Sequence, residues 1–151
     1  MAAPPPEPRP RLFHLTEPAA LQRLCSGEAH APASLAGEGF VHLSRAAQLA
    51  GTLERHYASA RQLVLLELDR ARAEPALRWE RSRGGDSFPH LYRGLERADL
   101  VRGWELKRPA GERWPTPLLP RDPRGDRPAA TRYFAAGAAP GAAGGATEGA
   151  P

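Results

Sequence analysis

Cysteine is nearly absent from this chain of 151 residues. The single one, Cys25, excludes an internal disulfide and a thiolate metal cluster. It lies in "AALQRLCSG", at an expected helix end, where a small buried thiol is the ordinary outcome. No apolar run comes near the roughly 20 residues needed to cross a bilayer. The N-terminus also lacks the charged-then-apolar order of a secretion signal. The expectation is therefore a soluble, cytoplasmic protein with no membrane partner. Fingerprints of nucleotide and hydrolase sites are missing too: there is no GxGxxG, P-loop, HExxH or GxSxG. Dense positive runs are lacking as well. The net charge is +4, and residues 11 to 109 carry 15 basic and 12 acidic side chains, a surplus of three. That spread argues against an extended nucleic-acid footprint. Twenty of the 21 basic residues are arginine. An arginine fork suits phosphate, but in a chain this rich in alanine and proline the bias is more simply a mark of gene base composition.

Composition divides what remains. The first ten residues contain five prolines, and the last seventeen are Ala, Gly or Pro apart from Thr147 and Glu148. Neither stretch buries enough apolar surface to offset the entropy of ordering it. Residues 109 to 132 are rich in Pro, Arg and Gly and read as part of the same tail. The division is a disordered segment over 1–10, one α+β domain over 11–108, and a disordered Pro/Ala/Gly-rich tail over 109–151. The domain, of roughly 100 residues, has a common size.

Within the domain, residues 11–15 read as a strand. A helix over 17–26 follows, with Thr16 as its cap, Pro18 in its first turn and Gly27 past its end. A loop then leads to a second strand at 39–43. Ser44 is placed to cap a helix whose Ala46, Leu49, Ala50, Leu53 and Tyr57 share one face. The apolar run "QLVLLELD" at 62–69 reads as a central strand. Strands are expected also at 76–82 and 100–107, and "GGDSFPHLYRG" between them reads as turns lining a surface cleft. The total is an α+β domain with about five strands and two helices.

The residues that bear chemistry recur in one pattern. Three of the five histidines are followed by leucine and then a hydroxyl side chain: His14-Leu-Thr16, His42-Leu-Ser44 and His90-Leu-Tyr92. Side chains alternate along a strand, so each histidine shares a face with its hydroxyl partner while the leucine faces the other way. The structural readings are that a lone inward histidine is a core residue, that Thr16 and Ser44 are helix caps, and that Glu80, between Trp79 and Arg81, is an exposed ion-pair partner. The functional reading places His14 and His42 on neighbouring strands facing one cleft, where imidazoles hydrogen-bond ribose hydroxyls or phosphate. Glu80 would hold a ribose hydroxyl or stabilise developing positive charge, and His90 would lie over the cleft mouth. Convergence of His14, His42 and His90 on one point would instead make a three-imidazole zinc site with an open position, although no ligand spacing supports it. His30, in an Ala/Pro loop, and His56 carry less weight.

The order "FHLT", "SLAGEGFVHLS", "LVLLELD", "LRWE", "FPHLY" resembles the family called domain of unknown function 952, over residues 11 to 107. That family is similar in fold to ADP-ribosyltransferases and to RNA 2′-phosphotransferases that consume NAD. The resemblance implies a small, split, antiparallel-rich sheet with two or three helices, and a cleft in it gripping nicotinamide and its ribose, with NAD as substrate. It implies His14 at the ribose, His42 against the nicotinamide, Ser44 beside it and Glu80 as the acid. His90 and Tyr92 match the family's "FPHLY" motif. Arg93 stands where glycine is expected, as a phosphate contact or a changed turn, and the phosphotransferases' arginine set is not identifiable. The first expectation is thus an NAD- or ADP-ribose-handling enzyme, a transferase or NAD-glycohydrolase. Its catalytic residues would be His14, His42 and Glu80, with Thr16, Ser44, His90 and Tyr92 among the ligand contacts. The second is a non-catalytic nucleotide or small-metabolite binding module using the same cleft.

Overall fold

The computed structural model describes residues 10–81, 85–115 and, for the backbone alone, 132–135. Its strands are β1 (Leu12–Thr16), β2 (Val41–His42), β3 (Gln62–Leu68), β4 (Leu77–Arg81), β5 (Ser87–Leu91), β6 (Leu100–Lys107) and β7 (Arg132–Ala135). Its α-helices are α1 (Pro18–Cys25), α2 (Ala33–Glu38), α3 (Leu49–His56) and α4 (Arg70–Ala73). Every strand pairing is antiparallel, in two sheets ordered β1-β3-β6-β7 and β2-β5-β4. The split antiparallel α+β expectation holds.

The run "QLVLLEL" folds as β3 because both of its faces are covered. Leu63 and Leu65 join Phe13, Leu15, Trp104 and Leu106 in a cluster closed by Leu49 and Leu53 of α3 and by Trp114. Val64, Leu66 and Leu68 face the other way, into a cluster with Leu21 and Leu24 of α1 and with Val41 and Leu91 of the small sheet. The four-stranded sheet is thus sandwiched between α3 on one side and α1 plus the small sheet on the other. Trp104 and Phe13, both fully buried, meet at 6.3 Å between ring centroids. A truncation here would cost about 3–5 kcal/mol through lost contacts and a residual cavity.

Several expectations change. From sequence 84–94 reads as turns, and proline cannot donate to a ladder. Nonetheless Ser87–Leu91 is the middle strand of the small sheet, with Pro89 opposite Trp79 and its carbonyl accepting from the Leu43 N–H at 3.1 Å. The expected loop over 28–39 contains α2, closed by Gly39 at φ 90°, a conformation glycine adopts without a Cβ clash. Thr16 and Ser44 are not the expected caps: the N-cap of α1 is Glu17, without a side-chain bond, and Ser44 Oγ meets Thr52 Oγ1 at 3.3 Å. The tail expectation lies mostly outside the described residues. Within them, Trp114 docks on α3's end, its Nε1 donating to the Tyr57 carbonyl at 2.7 Å, and Arg132–Ala135 pairs with β6.

Arg93 has a structural job. It grips Asp99, which is 1% exposed, through bonds of 2.8 and 2.9 Å, while Arg72 adds a third at 3.2 Å. A buried carboxylate persists only when paired in this way.

Candidate functional site

The two sheets are stitched where the histidine motifs lie. The Phe13 N–H donates to the Ser44 carbonyl at 2.9 Å, and the Ser44 N–H returns the bond to Phe13 at 2.8 Å. That bridge sets β1 beside β2 and places His14 next to the His42 peptide. The His14 and His42 side chains then part company.

His14 and Thr16 share the inward face of β1, both buried. His14 Nδ1 lies 2.9 Å from the His42 carbonyl oxygen and its Nε2 lies 3.3 Å from His30 Nε2. Thr16 Oγ1 is also 3.3 Å from His30 Nε2. The protons follow from the partners. A carbonyl only accepts, so His14 Nδ1 carries hydrogen. Burial, with His30 and His42 adding to it against the raising effect of the His42 carbonyl, lowers the His14 pKa to about 4. The ring is therefore neutral, and Nε2 is its lone pair. His30 must then supply the proton between them, shared with the Thr16 oxygen. Burial, aided by Arg23, also lowers the His30 pKa.

His30 was the residue underrated from sequence. Its backbone is pinned by reciprocal bonds with Leu95 of 2.8 and 2.9 Å. A Cβ at Gly94 would stand 3.1 Å from the His30 carbonyl oxygen, so glycine allows that approach. Nothing in "EAHAPAS" marks this, because the partners come from positions 14, 16 and 95.

The second group occupies the outer face of the small sheet. His42 pairs with His90, and His90 with Arg78, so the three stand in a row. Phe40 stacks on the His90 ring at 4.0 Å and 14°, and meets His42 edge-on at 4.9 Å. Tyr92 lies 5.3 Å from Phe40, with the Arg78 guanidinium 4.8 Å above its ring. Glu80 completes the group: its Oε1 accepts from His90 Nδ1 at 2.9 Å and from the Tyr92 hydroxyl. Those bonds, Tyr92's first and then His90's, hold the Glu80 carboxyl below its ordinary pKa, so it is ionised. The same bond raises the Tyr92 phenol. His42 is exposed and sits 3.1 Å from Glu38 at the end of α2.

The structure therefore joins His42, Glu80, His90 and Tyr92 with Phe40, and sets His14 and Thr16 apart with His30. Ser44 is buried beside α3. The arrangement needed for a three-imidazole zinc site is not formed, because His14 turns inward to His30. Among the described residues no group of three or more His, Cys, Asp or Glu side chains is placed to hold a metal ion. A surface hollow of about 520 Å³ lies at the Leu12 end of β1, but its charges are engaged: Arg11 with Glu67, Asp69 as the cap of α4, and Arg70 with Glu74. No helix among the described residues is long and apolar enough to cross a membrane.

The fold is a two-sheet, antiparallel α+β domain. The chain belongs to the family described as "Protein of unknown function (DUF952)", which matches residues 15–102. It is similar to the crystal structure of CC0527 from Caulobacter crescentus, with 29% identity, 70% of this chain and 93% of that chain covered, and a TM-score of 0.61. The solution structure of CC0527 gives 30% identity, coverage of 68% and 90%, and a TM-score of 0.59. No curated protein matches.

Proposed function

We propose that the chain binds NAD or ADP-ribose on the outer face of the small sheet and acts on the bond between nicotinamide and ribose. The observation that carries this reading is an ionised Glu80 held beside a partly exposed aromatic platform of Phe40 and Tyr92, with Phe40 covering the buried His90 ring. Aromatic faces accept flat nitrogenous rings by stacking. In this reading the Glu80 carboxylate stabilises the positive charge that develops on ribose as the nicotinamide leaves with the bonding electron pair. Water is the simplest acceptor. The exposed His42 and Arg78 flank the platform and suit ribose hydroxyls and phosphate. His14 becomes a positioning residue that acts through the His42 carbonyl. The ADP-ribosyltransferase-like fold is part of this proposal and rests on the family resemblance.

A second reading, a binding module without turnover, draws on the same carboxylate. Glu80 is already shared by two donors, which suits a structural role. Thermal unfolding with NAD and with ADP-ribose separates the possibilities. A ligand at a hundred times its Kd adds about 2.7 kcal/mol, a shift on the order of 10 °C for a domain of this size. A shift with nicotinamide release that Glu80→Gln abolishes supports the enzyme. A shift without release, retained in Glu80→Gln, selects the binding module, and no shift with either ligand rejects both.

A further inference from the structure

β4 ends the small sheet, and among the described residues no strand pairs with its outer edge. Its sequence, "LRWER", is short, and Trp79 at its centre is 38% exposed, the exposed large hydrophobic residue of the described chain. Such an edge is a template for another strand. What distinguishes this one is its charge order. Arg78 and Glu80 flank Trp79 on the face opposite to the indole, one of each sign.

We propose that two copies of this chain pair through their β4 edges, antiparallel and centred on Trp79. A two-fold interface is self-complementary, so each contact occurs twice. Centred there, the register sets Trp79 against its own copy, Arg78 against the partner's Glu80, and Glu80 against the partner's Arg78. Both charge pairs are attractive, and like charges at directly opposed positions would be repulsive. A shift of the centre by one residue, to Arg78 or to Glu80, would oppose like to like. The sequence thus selects one register. The resulting six-stranded sheet places two outer faces side by side, with each Glu80 carboxylate beside the partner's Arg78, so each copy contributes a residue to the other's candidate site. This inference concerns assembly and is tested without NAD, so it fails independently of the function proposed above.

The experiment is sedimentation velocity of the full chain over a range of concentrations, with charge variants. The wild type should pass from monomer to dimer as concentration rises. Arg78→Glu opposes two glutamates at both contacts and Glu80→Arg opposes two arginines, so each variant alone should associate at least about tenfold more weakly. Mixed in equal amounts, the two single variants should form a heterodimer, since each contact then joins Glu to Arg. The double variant Arg78→Glu/Glu80→Arg should recover self-association. Circular dichroism of each variant checks that the fold is kept, and recovery in the mixture makes misfolding an insufficient explanation. A wild type that stays monomeric throughout overturns the proposal. So do single variants that dimerise like the wild type, or a mixture that remains monomeric.

Discussion

His14 and His90 are equally buried, each at 6% exposure, and each precedes a leucine and a hydroxyl residue. Their surroundings differ in one respect that decides their chemistry. His14 meets a carbonyl and a second imidazole, both neutral, and is held neutral. His90 meets an ionised carboxylate that also binds a tyrosine and lies at the surface. Burial alone does not distinguish the two rings. The partner does: neutral core groups for His14 and an ionised carboxylate for His90.

The comparison breaks most readily at His14. Replacing it by alanine leaves the His42 carbonyl and the His30 ring without their partner and opens a cavity. The expected cost is about 2–4 kcal/mol, read from chemical denaturation. A loss below experimental error would return His14 to the ligand face.

Acid sharpens the same contrast. The His14 pKa falls from 6.5 when unfolded to about 4 when folded, so below pH 6.5 the unfolded chain takes up protons that the folded chain refuses. This contribution is complete above pH 6.5, declines as pH falls toward 4, and amounts to about 3 kcal/mol over that window. Urea midpoints measured from pH 7 to 4 should show the decline in wild type. His14→Gln should remove this part of it.

Smaller effects are expected on the outer face. Phe40→Ala uncovers the His90 ring and should reduce any NAD-induced thermal shift while leaving the fold in place. The smallest change is Tyr92→Phe, which deletes one donor to Glu80. The Glu80 carboxyl should then titrate at higher pH, toward an ordinary carboxylate, as followed by side-chain NMR. An unmoved titration would mean that Tyr92 does not hold the charge.

Much of this architecture is legible along the chain because it rests on periodicity. "QLVLLEL" reads as a doubly covered strand, and Leu49 and Leu53 mark the face of α3 that meets it. Antiparallel alternation also places each leucine of the His-Leu-hydroxyl motifs in the core: Leu15, Leu43 and Leu91 are all buried. What fails is what depends on distant partners. β5 is hidden among turn-forming residues, because the Leu43 N–H that bonds the Pro89 carbonyl lies far away in sequence. α2 has six residues and none buried, so it leaves no hydrophobic pattern. The division of the histidines into two groups turns on His30, whose neighbours at 14, 16 and 95 meet only in the fold. Local rules placed Thr16 and Ser44 as caps. Tertiary partners, His30 and Thr52, claimed both hydroxyls instead.

The central claim is that the ligand face lies on the small sheet and not at the His14 pair. Chemical-shift mapping of the isotopically labelled chain, titrated with NAD, tests it most directly. Perturbations should concentrate at Phe40, His42, Glu80, His90 and Tyr92, with His14, Thr16 and His30 nearly still. Perturbations centred on His14, Thr16 and His30 would contradict it, as would a spectrum that NAD leaves unchanged.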